Sequence, residues 1–269
     1  MKICFVGGGN MATALIGGLL GRGYNASQIR VVEINEENRT RIHEAYAVRA
    51  VEDLASGIAG SNIIVLAVKP QQLHEVATQL APLLKGQLLI SIAAGIRACD
   101  LARWANTNNV VRAMPNTPAL TRCGMTGLYA MSEVKQAQCE QAQSILAAVG
   151  KVLWLDGEDK LDAVTAISGS GPAYVFYFIE AMQAAGVALG LDADDARMLS
   201  LETFLGASKL AETSPEDVSV LRQRVTSKNG TTERALLSLD ANQVALHIVT
   251  AAQAAADRSR EMGDELGAA

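Results

Sequence analysis

Lys2-Ile3-Cys4-Phe5-Val6-Gly7-Gly8-Gly9-Asn10-Met11-Ala12 is the stretch on which the fold turns. A short apolar run rich in strand formers precedes the glycines. After them Met11, Leu15 and Leu19 recur at helical spacing, with Ala12 and Ile16 on neighbouring rows. Gly7 to Ala12 fit G-x-G-x-x-A. In that pattern the first glycine permits a tight turn and the second lets backbone approach a pyrophosphate at the helix N-terminus. The small third residue allows close helix–sheet packing. A tight turn without a ligand accounts for such a pattern when it stands alone. Here it follows a strand, opens a helix and heads an alternating region.

Working outward, residues 29–34 read as a second strand, and 63–68, 88–93 and 110–114 as further apolar runs. Continuous runs of this kind suit strands buried on both faces of a parallel sheet. Helical windows such as 72–84 lie between them. The expectation is an α/β chain with an N-terminal, doubly wound, Rossmann-type dinucleotide-binding domain over residues 1–160. Beyond it the strand-like runs stop. Residues 172–189, 193–212, 231–239 and 242–262 read as helices, with Gly190 placed to end the first. Thr213-Ser214-Pro215-Glu216 offers a cap, a proline for a first helical position and an early acid. Residues 161–269 are therefore expected to be all-α.

Composition narrows the function. The formal net charge is −5, against a general nucleic-acid binder, which needs excess Lys and Arg. No stretch approaches the ~18 consecutive apolar residues of a membrane span, and residues 1–9 lack the cleavage site of a signal peptide. Cys4, Cys99, Cys123 and Cys139 lie far apart, with no CxxC pair and no Cys/His cluster, so no metal site is expected. Scattered thiols suit a reducing cytoplasm.

Further segments carry chemistry. At the end of the second strand a dinucleotide fold expects an acid for the ribose 2′-hydroxyl of NAD, or basic groups for the 2′-phosphate of NADP. Asn35 is the first polar group expected there. Glu36 and Glu37 would repel a phosphate, Arg39 and Arg41 would attract one, and a solvated helix face accounts for all four equally. Ala67-Val68-Lys69-Pro70 and Ser91-Ile92-Ala93-Ala94-Gly95 fall at strand ends. In Arg112-Ala113-Met114-Pro115-Asn116-Thr117-Pro118 two prolines stiffen a loop that can present Asn116 to a nicotinamide ribose, or that is simply a stiff turn. Ser168-Gly169-Ser170-Gly171-Pro172 precedes a window holding Tyr174, Phe176, Tyr177 and Phe178, which suits a helix at a domain or subunit interface or an ordinary core helix. In Ser227-Lys228-Asn229-Gly230-Thr231-Thr232-Glu233 a Gly-Thr-Thr helix start offers free amides and hydroxyls to a carboxylate. A helix cap with a capping-box glutamate explains the same residues.

These motifs, in this order, resemble pyrroline-5-carboxylate reductase over nearly the whole chain. The family pattern reads G-x-G-N-M, A-V-K-P, S-x-A-A-G, R-x-M-P-N-T-P, S-G-S-G-P-A-Y and V-T-S-P-G-G-T-T; the counterparts here run from Gly7 to Thr232. The resemblance implies NAD(P)H-dependent reduction of 1-pyrroline-5-carboxylate to L-proline, with NADPH as the expected cofactor and NADH as the alternative. It implies that Val6, Gly7, Gly8, Gly9, Asn10 and Met11 cradle the pyrophosphate and that Asn35 meets the adenosine ribose. Ala67, Val68, Lys69, Pro70, Ala93, Ala94 and Gly95 would line the nicotinamide side. Ser227, Gly230, Thr231 and Thr232 would hold the substrate carboxylate, with Thr232 nearest the ring nitrogen and the candidate catalytic residue. It also implies a homodimer formed through the helical domains, assembled further into a ring of dimers.

Three departures stand out. Asn229 replaces a family glycine and is the side chain that best tolerates positive φ. Glu36 stands where many members carry a basic or small residue, and Arg224 precedes Val225 where some carry asparagine. His43, His74 and His247 fall outside every motif, which disfavours a histidine general acid. Two competing functions remain in view. A β-hydroxyacid dehydrogenase would need a lysine base, for which Lys209 and Lys228 are the candidates without matching surroundings. A non-catalytic dinucleotide sensor would have no use for a carboxylate site.

Overall fold

The computed structural model describes residues 1–268 and divides the chain into two compact units. One comprises Met1–Ser170 together with the C-terminal stretch from Ala255 onward; the other is Gly171–Ala254. The first unit begins with β1 (Ile3–Val6), α1 (Asn10–Gly21), β2 (Ile29–Val32), α2 (Glu36–Tyr46), β3 (Arg49–Val51), α3 (Leu54–Ile58), β4 (Ile63–Leu66) and α4 (Pro70–Leu80). It continues with β5 (Leu88–Ser91), α5 (Ala98–Ala105), β6 (Val110–Met114), β7 (Gly124–Ala130), α6 (Gln136–Leu146), β8 (Gly150–Trp154) and α7 (Lys160–Val164). The eight strands form one sheet in the order β3-β2-β1-β4-β5-β6-β7-β8.

β3 to β6 through β1 are parallel, whereas β7 runs antiparallel to β6. β7 and β8 lie outside the strands read from the sequence. β7, Gly124-Met125-Thr126-Gly127-Leu128-Tyr129-Ala130, is broken by glycine and so lacks an apolar run. Its glycine at 127 is required: an added Cβ would lie 2.8 Å from the Val164 side chain. β8 pairs with β7 in parallel as the edge strand.

Alternation along the strands explains why helices cover both faces. Ile3, Phe5, Ile63, Val65, Leu88 and Ile90 join one buried cluster, packed with Leu15, Ile16 and Leu19 of α1 and with Ile145 and Leu146 of α6. Their neighbours Cys4, Val6, Ile64, Leu66 and Leu89 join the other, with Leu73, Ala77 and Leu80 of α4 and Leu101 and Trp104 of α5. Successive side chains of a strand point to opposite faces, so a run without polar positions must be buried twice.

The second unit is helical: α8 (Gly171–Ala188), α9 (Ala193–Thr213), α10 (Val218–Arg224), α11 (Thr231–Ala241) and the first part of α12 (Val244–Gly267). Gly190, at φ +98°, ends α8 as expected. The start of α10 differs from expectation. Asp217, not the Thr213–Pro215 stretch, caps it through Ser219 N–H at 2.8 Å. α8 has no buried residue, and Phe176 and Tyr177 are 67% and 70% exposed. With Leu205, Val225 and Val249 also exposed, the unit shows more apolar surface than a monomer usually leaves in water.

The compact division falls at residues 170/171 and again at 254/255, whereas the change of sequence pattern falls near 160. The end of α12 contacts the sheet unit directly. Ser259 Oγ donates to Asp162 at 2.7 Å, Arg97 pairs with Asp264, and Met262 and Leu266 pack at Gly95. A helix that reads as one amphipathic pattern gives no sign of changing partner midway.

Candidate active site: a dinucleotide cleft and an anion-binding helix start

The strands are added outward from β1 first on one side and then, from β4 on, on the other, and doubly wound sheets bind ligands in the crevice at such a switch point. A cleft of about 560 Å³ lies there, lined by Val6, Gly7, Gly8 and Gly9 after β1 and by Ala67, Val68 and Lys69 after β4. Seven of the expected cofactor residues therefore share one cavity. Asn10 and Met11 open α1, and Pro70 is the first residue of α4. Asn35 caps α2 through its side chain, accepting from Asn38 N–H at 2.9 Å.

The glycines have separable tasks. Gly7 has φ +101°, and an added Cβ would lie 2.6 Å from the Ala67 carbonyl oxygen. The turn of β1 thus rests against the end of β4. Around Gly9 nothing lies within 4 Å of an added Cβ, so the helix start is open on that side. Gly9 caps α1 without a side-chain hydrogen bond, and the first turn holds no acid. The unpaired amides and the positive end of the helix dipole are available to an anion, and the residues present fit a dinucleotide pyrophosphate.

Glu33 was not among the expected site residues. It is the first residue after β2, lines the cleft, and accepts from Gly8 N–H and Asn35 N–H, each at 2.9 Å. The sequence signal was the acid expected at the end of the second strand. That strand reads as continuing to Ile34 but ends at Val32, which hid Glu33 inside it. Arg39 does not line the cleft itself, but its guanidinium donates to the carbonyls of two residues that do, Glu33 and Ile34, at 2.9 and 2.8 Å. Glu36, Glu37 and Arg41 are exposed; the two acids lie in the first turn of α2, where they suit the helix dipole.

Ala93, Ala94 and Gly95 follow β5, and Asn116 follows β6, on the same carboxyl edge of the parallel strands. None of the four lines the cleft itself. Gly95 turns at φ +75°. Behind it Glu158 Oε1 accepts from Ala98 N–H at 2.6 Å and from buried Arg112 at 2.9 Å, tying the loop before α5 to β6. The Asn116 amide works inside the unit. Its Nδ2 donates to the carbonyl and hydroxyl oxygens of Ser168, both at 3.1 Å, and its Oδ1 accepts from Met125 N–H at 2.9 Å. Ser168 belongs to a π-helical turn, Thr165–Gly169, of a kind that recurs at functional sites. Asn116→Ala should cost ~1–3 kcal/mol, because it strands a backbone donor and a hydroxyl together. Chemical denaturation would show this as a lower midpoint, and an unchanged midpoint would refute it.

In the helical unit, Ser227 to Glu233 form a tight helix entry. Gly230 N–H donates to the Ser227 carbonyl at 3.0 Å, and an added Cβ on Gly230 would lie 2.3 Å from Ser227 Oγ. Only glycine leaves room for that hydroxyl. Asn229 has φ +60°, the conformation for which asparagine is the tolerated substitute. Thr231 and Thr232 are the first two residues of α11, and Gly230 caps it without a side-chain bond. Glu233 reaches back to accept from Asn229 N–H at 2.7 Å, which fills a capping role, while no side chain bonds the helix start at Gly230. Arg224 is paired with Glu216 of its own unit at 2.5 Å.

His43 faces the Val48 carbonyl and His74 lies against Trp104. Cys4, on β1, is buried, and burial pushes its thiol up to about 12, which removes it as a nucleophile at neutral pH.

Residues 158–262 match the family described as pyrroline-5-carboxylate reductase dimerisation, and residues 2–95 match one described as NADP oxidoreductase, coenzyme F420-dependent. A pyrroline-5-carboxylate reductase of Pseudomonas aeruginosa is 49% identical, covering 99% of this chain and 98% of its own. The chain belongs to the pyrroline-5-carboxylate reductase family. A family member from Haemophilus influenzae is 43% identical over 97% of both chains. The solved structure of a pyrroline-5-carboxylate reductase from Coxiella burnetii superposes with TM-score 0.93 at 38% identity, covering 97% of this chain and 98% of that one. That of a pyrroline carboxylate reductase from Plasmodium falciparum, with NADP bound, gives 0.87 at 30% identity over 98% of each.

Proposed function

We propose that the protein is a pyrroline-5-carboxylate reductase that converts 1-pyrroline-5-carboxylate to L-proline with NAD(P)H. The observation that carries this is the pairing, in a chain matched over its whole length by that family, of an acid-free helix start in a dinucleotide cleft with a Gly-Thr-Thr helix start suited to a carboxylate. The cofactor, when bound, would supply a hydride from C4 of its nicotinamide to the imine carbon, the ring atom that becomes C5 of proline.

The chain's own residues then do three things. In the Val6 to Met11 turn the Gly7 and Gly8 amides are bonded to Val32 and Glu33, and those of Gly9, Asn10 and Met11 hold the pyrophosphate, while Ala67 to Pro70 and Ala93 to Gly95 wall the nicotinamide side and exclude water. Ser227 and the amides of Thr231 and Thr232 hold the substrate carboxylate, with Gly230 keeping the helix start free of a side chain. Thr232 hydrogen-bonds the ring nitrogen as it becomes an amine. The imine is basic enough to arrive protonated, so catalysis is mostly positioning by fixed dipoles. The lysine-dependent alternative is disfavoured, since Lys209 is exposed and paired with Glu212 at 3.0 Å.

The family's dimerisation region and the exposed apolar faces of α8, α9 and α12 indicate a homo-oligomer; we take the unit to be a dimer, assembled into a ring of dimers. Among the described residues no single helix is long and apolar enough to cross a membrane, and all four cysteines are free. Both suit a cytoplasmic enzyme. Steady-state assay with 1-pyrroline-5-carboxylate should show NAD(P)H oxidation and L-proline formation in equal amounts. Cofactor binding with no turnover would favour a sensor, and turnover of hydroxyacids alone would favour a different dehydrogenase.

A further inference from the structure

We propose that Glu33 makes this enzyme select NADH over NADPH. The proposal rests on the cleft after β1 and β4 being the cofactor site, and it goes further by assigning which cofactor that site takes.

Glu33 is fixed by backbone. One carboxylate oxygen accepts from Gly8 N–H and the other from Asn35 N–H, so the group is tied to the middle residue of the Gly7-Gly8-Gly9 turn. An ionised carboxylate offers about four lone-pair sites, and two of them remain. The ribose diol of NADH is a donor pair that those sites can accept. The 2′-phosphate of NADPH brings acceptors only, and a charge of about −1.5 to −2 at neutral pH.

The cation beside that position is already engaged by protein acceptors. Arg39, the nearest expected cation, spends its guanidinium on the Glu33 and Ile34 carbonyls and lies 3.6 Å from Glu52. The cleft lining holds three acids, Glu33, Glu52 and Asp53, against one base, Lys69. Asp53 is committed to capping α3 through Ser56 N–H at 2.7 Å and remains a fixed negative charge. Discrimination comes from the repulsive element as much as from the attractive one.

Calorimetric titration of the intact enzyme with NADH and NADPH, in the absence of imine, reads the preference as binding and not as turnover. NADH should bind at least ~10-fold more tightly than NADPH, equivalent to about 1.4 kcal/mol. Glu33→Gln and Glu33→Ser should each narrow that ratio by ~10-fold or more, chiefly by tightening NADPH. A smaller wild-type preference, or a ratio unchanged in either variant that keeps its far-ultraviolet dichroism, overturns the assignment. If neither nucleotide binds the wild type, the cleft itself has been misassigned, a different failure visible before any variant is made.

Discussion

Gly7→Ala should weaken binding of NADH and NADPH alike by ~100-fold or more. Gly7 adopts φ +101°, which a side chain resists, and its Cβ would press within 2.6 Å of the Ala67 carbonyl oxygen and 3.0 Å of the Val68 nitrogen. These are backbone atoms at the end of β4, so they cannot rotate out of the way. The loop must lift off that strand end, and the lift opens the crevice that holds the pyrophosphate. Strain of ~1–3 kcal/mol at such a position suffices for a ~10- to 100-fold effect, and displacing the helix start adds to it. Gly9→Ala is the informative contrast. Its Cβ meets nothing within 4 Å, so the fold should be unaffected while the methyl occupies the space kept for the ligand. Calorimetric Kd values together with denaturation midpoints separate the two cases. A Gly7→Ala protein that binds dinucleotide normally would show that the close approach to β4 is irrelevant to the site.

Thr232→Ala should lower kcat/KM for 1-pyrroline-5-carboxylate by ~10–1000-fold, the loss of one or two good hydrogen bonds in a dry site. Thr232 is half-buried at the second position of α11. The helix start does not depend on its hydroxyl, because Gly230 is the cap and Glu233 supplies the reciprocal bond to Asn229 N–H. The variant should therefore keep its denaturation midpoint. Most of the loss should fall on kcat, since the developing amine needs the hydroxyl more than the bound imine does. Thr232→Ser should recover most of the activity. Wild-type kcat/KM in the alanine variant would remove Thr232 from the mechanism.

Local patterns carried a large part of the fold. The helix expected from Asn10 to Gly21 and the strand from Val110 to Met114 match α1 and β6 end to end. Apolar periodicity and glycine punctuation sufficed, because each is enforced within a few residues. β7 and β8 were not legible. A strand with glycines at 124 and 127 gains its place from the pairing of Gly127 with Met114 and from the Val164 side chain above it, neither of which is near in sequence. Asn116 was noticed for its stiff loop, but its tie to Ser168 spans 52 residues and no spacing rule reaches that far.

What the sequence determined alone is what depends on neighbours along the chain. The strand–glycine–helix unit at Val6 to Met11, the Gly-Thr-Thr helix start, and the tolerance of Asn229 for φ +60° belong here. Tertiary structure decided the rest. It ended β2 at Val32 and bonded Glu33 to the Gly8 amide, 25 residues away, so that the acid lining the cleft is Glu33 and not Glu36. It turned Arg39 into a backbone clamp and split α12 between two units. The physical reason is the same in each case. A carboxylate or guanidinium goes where fixed donors and acceptors meet it, and those are set by strands and helices that the chain brings together only on folding.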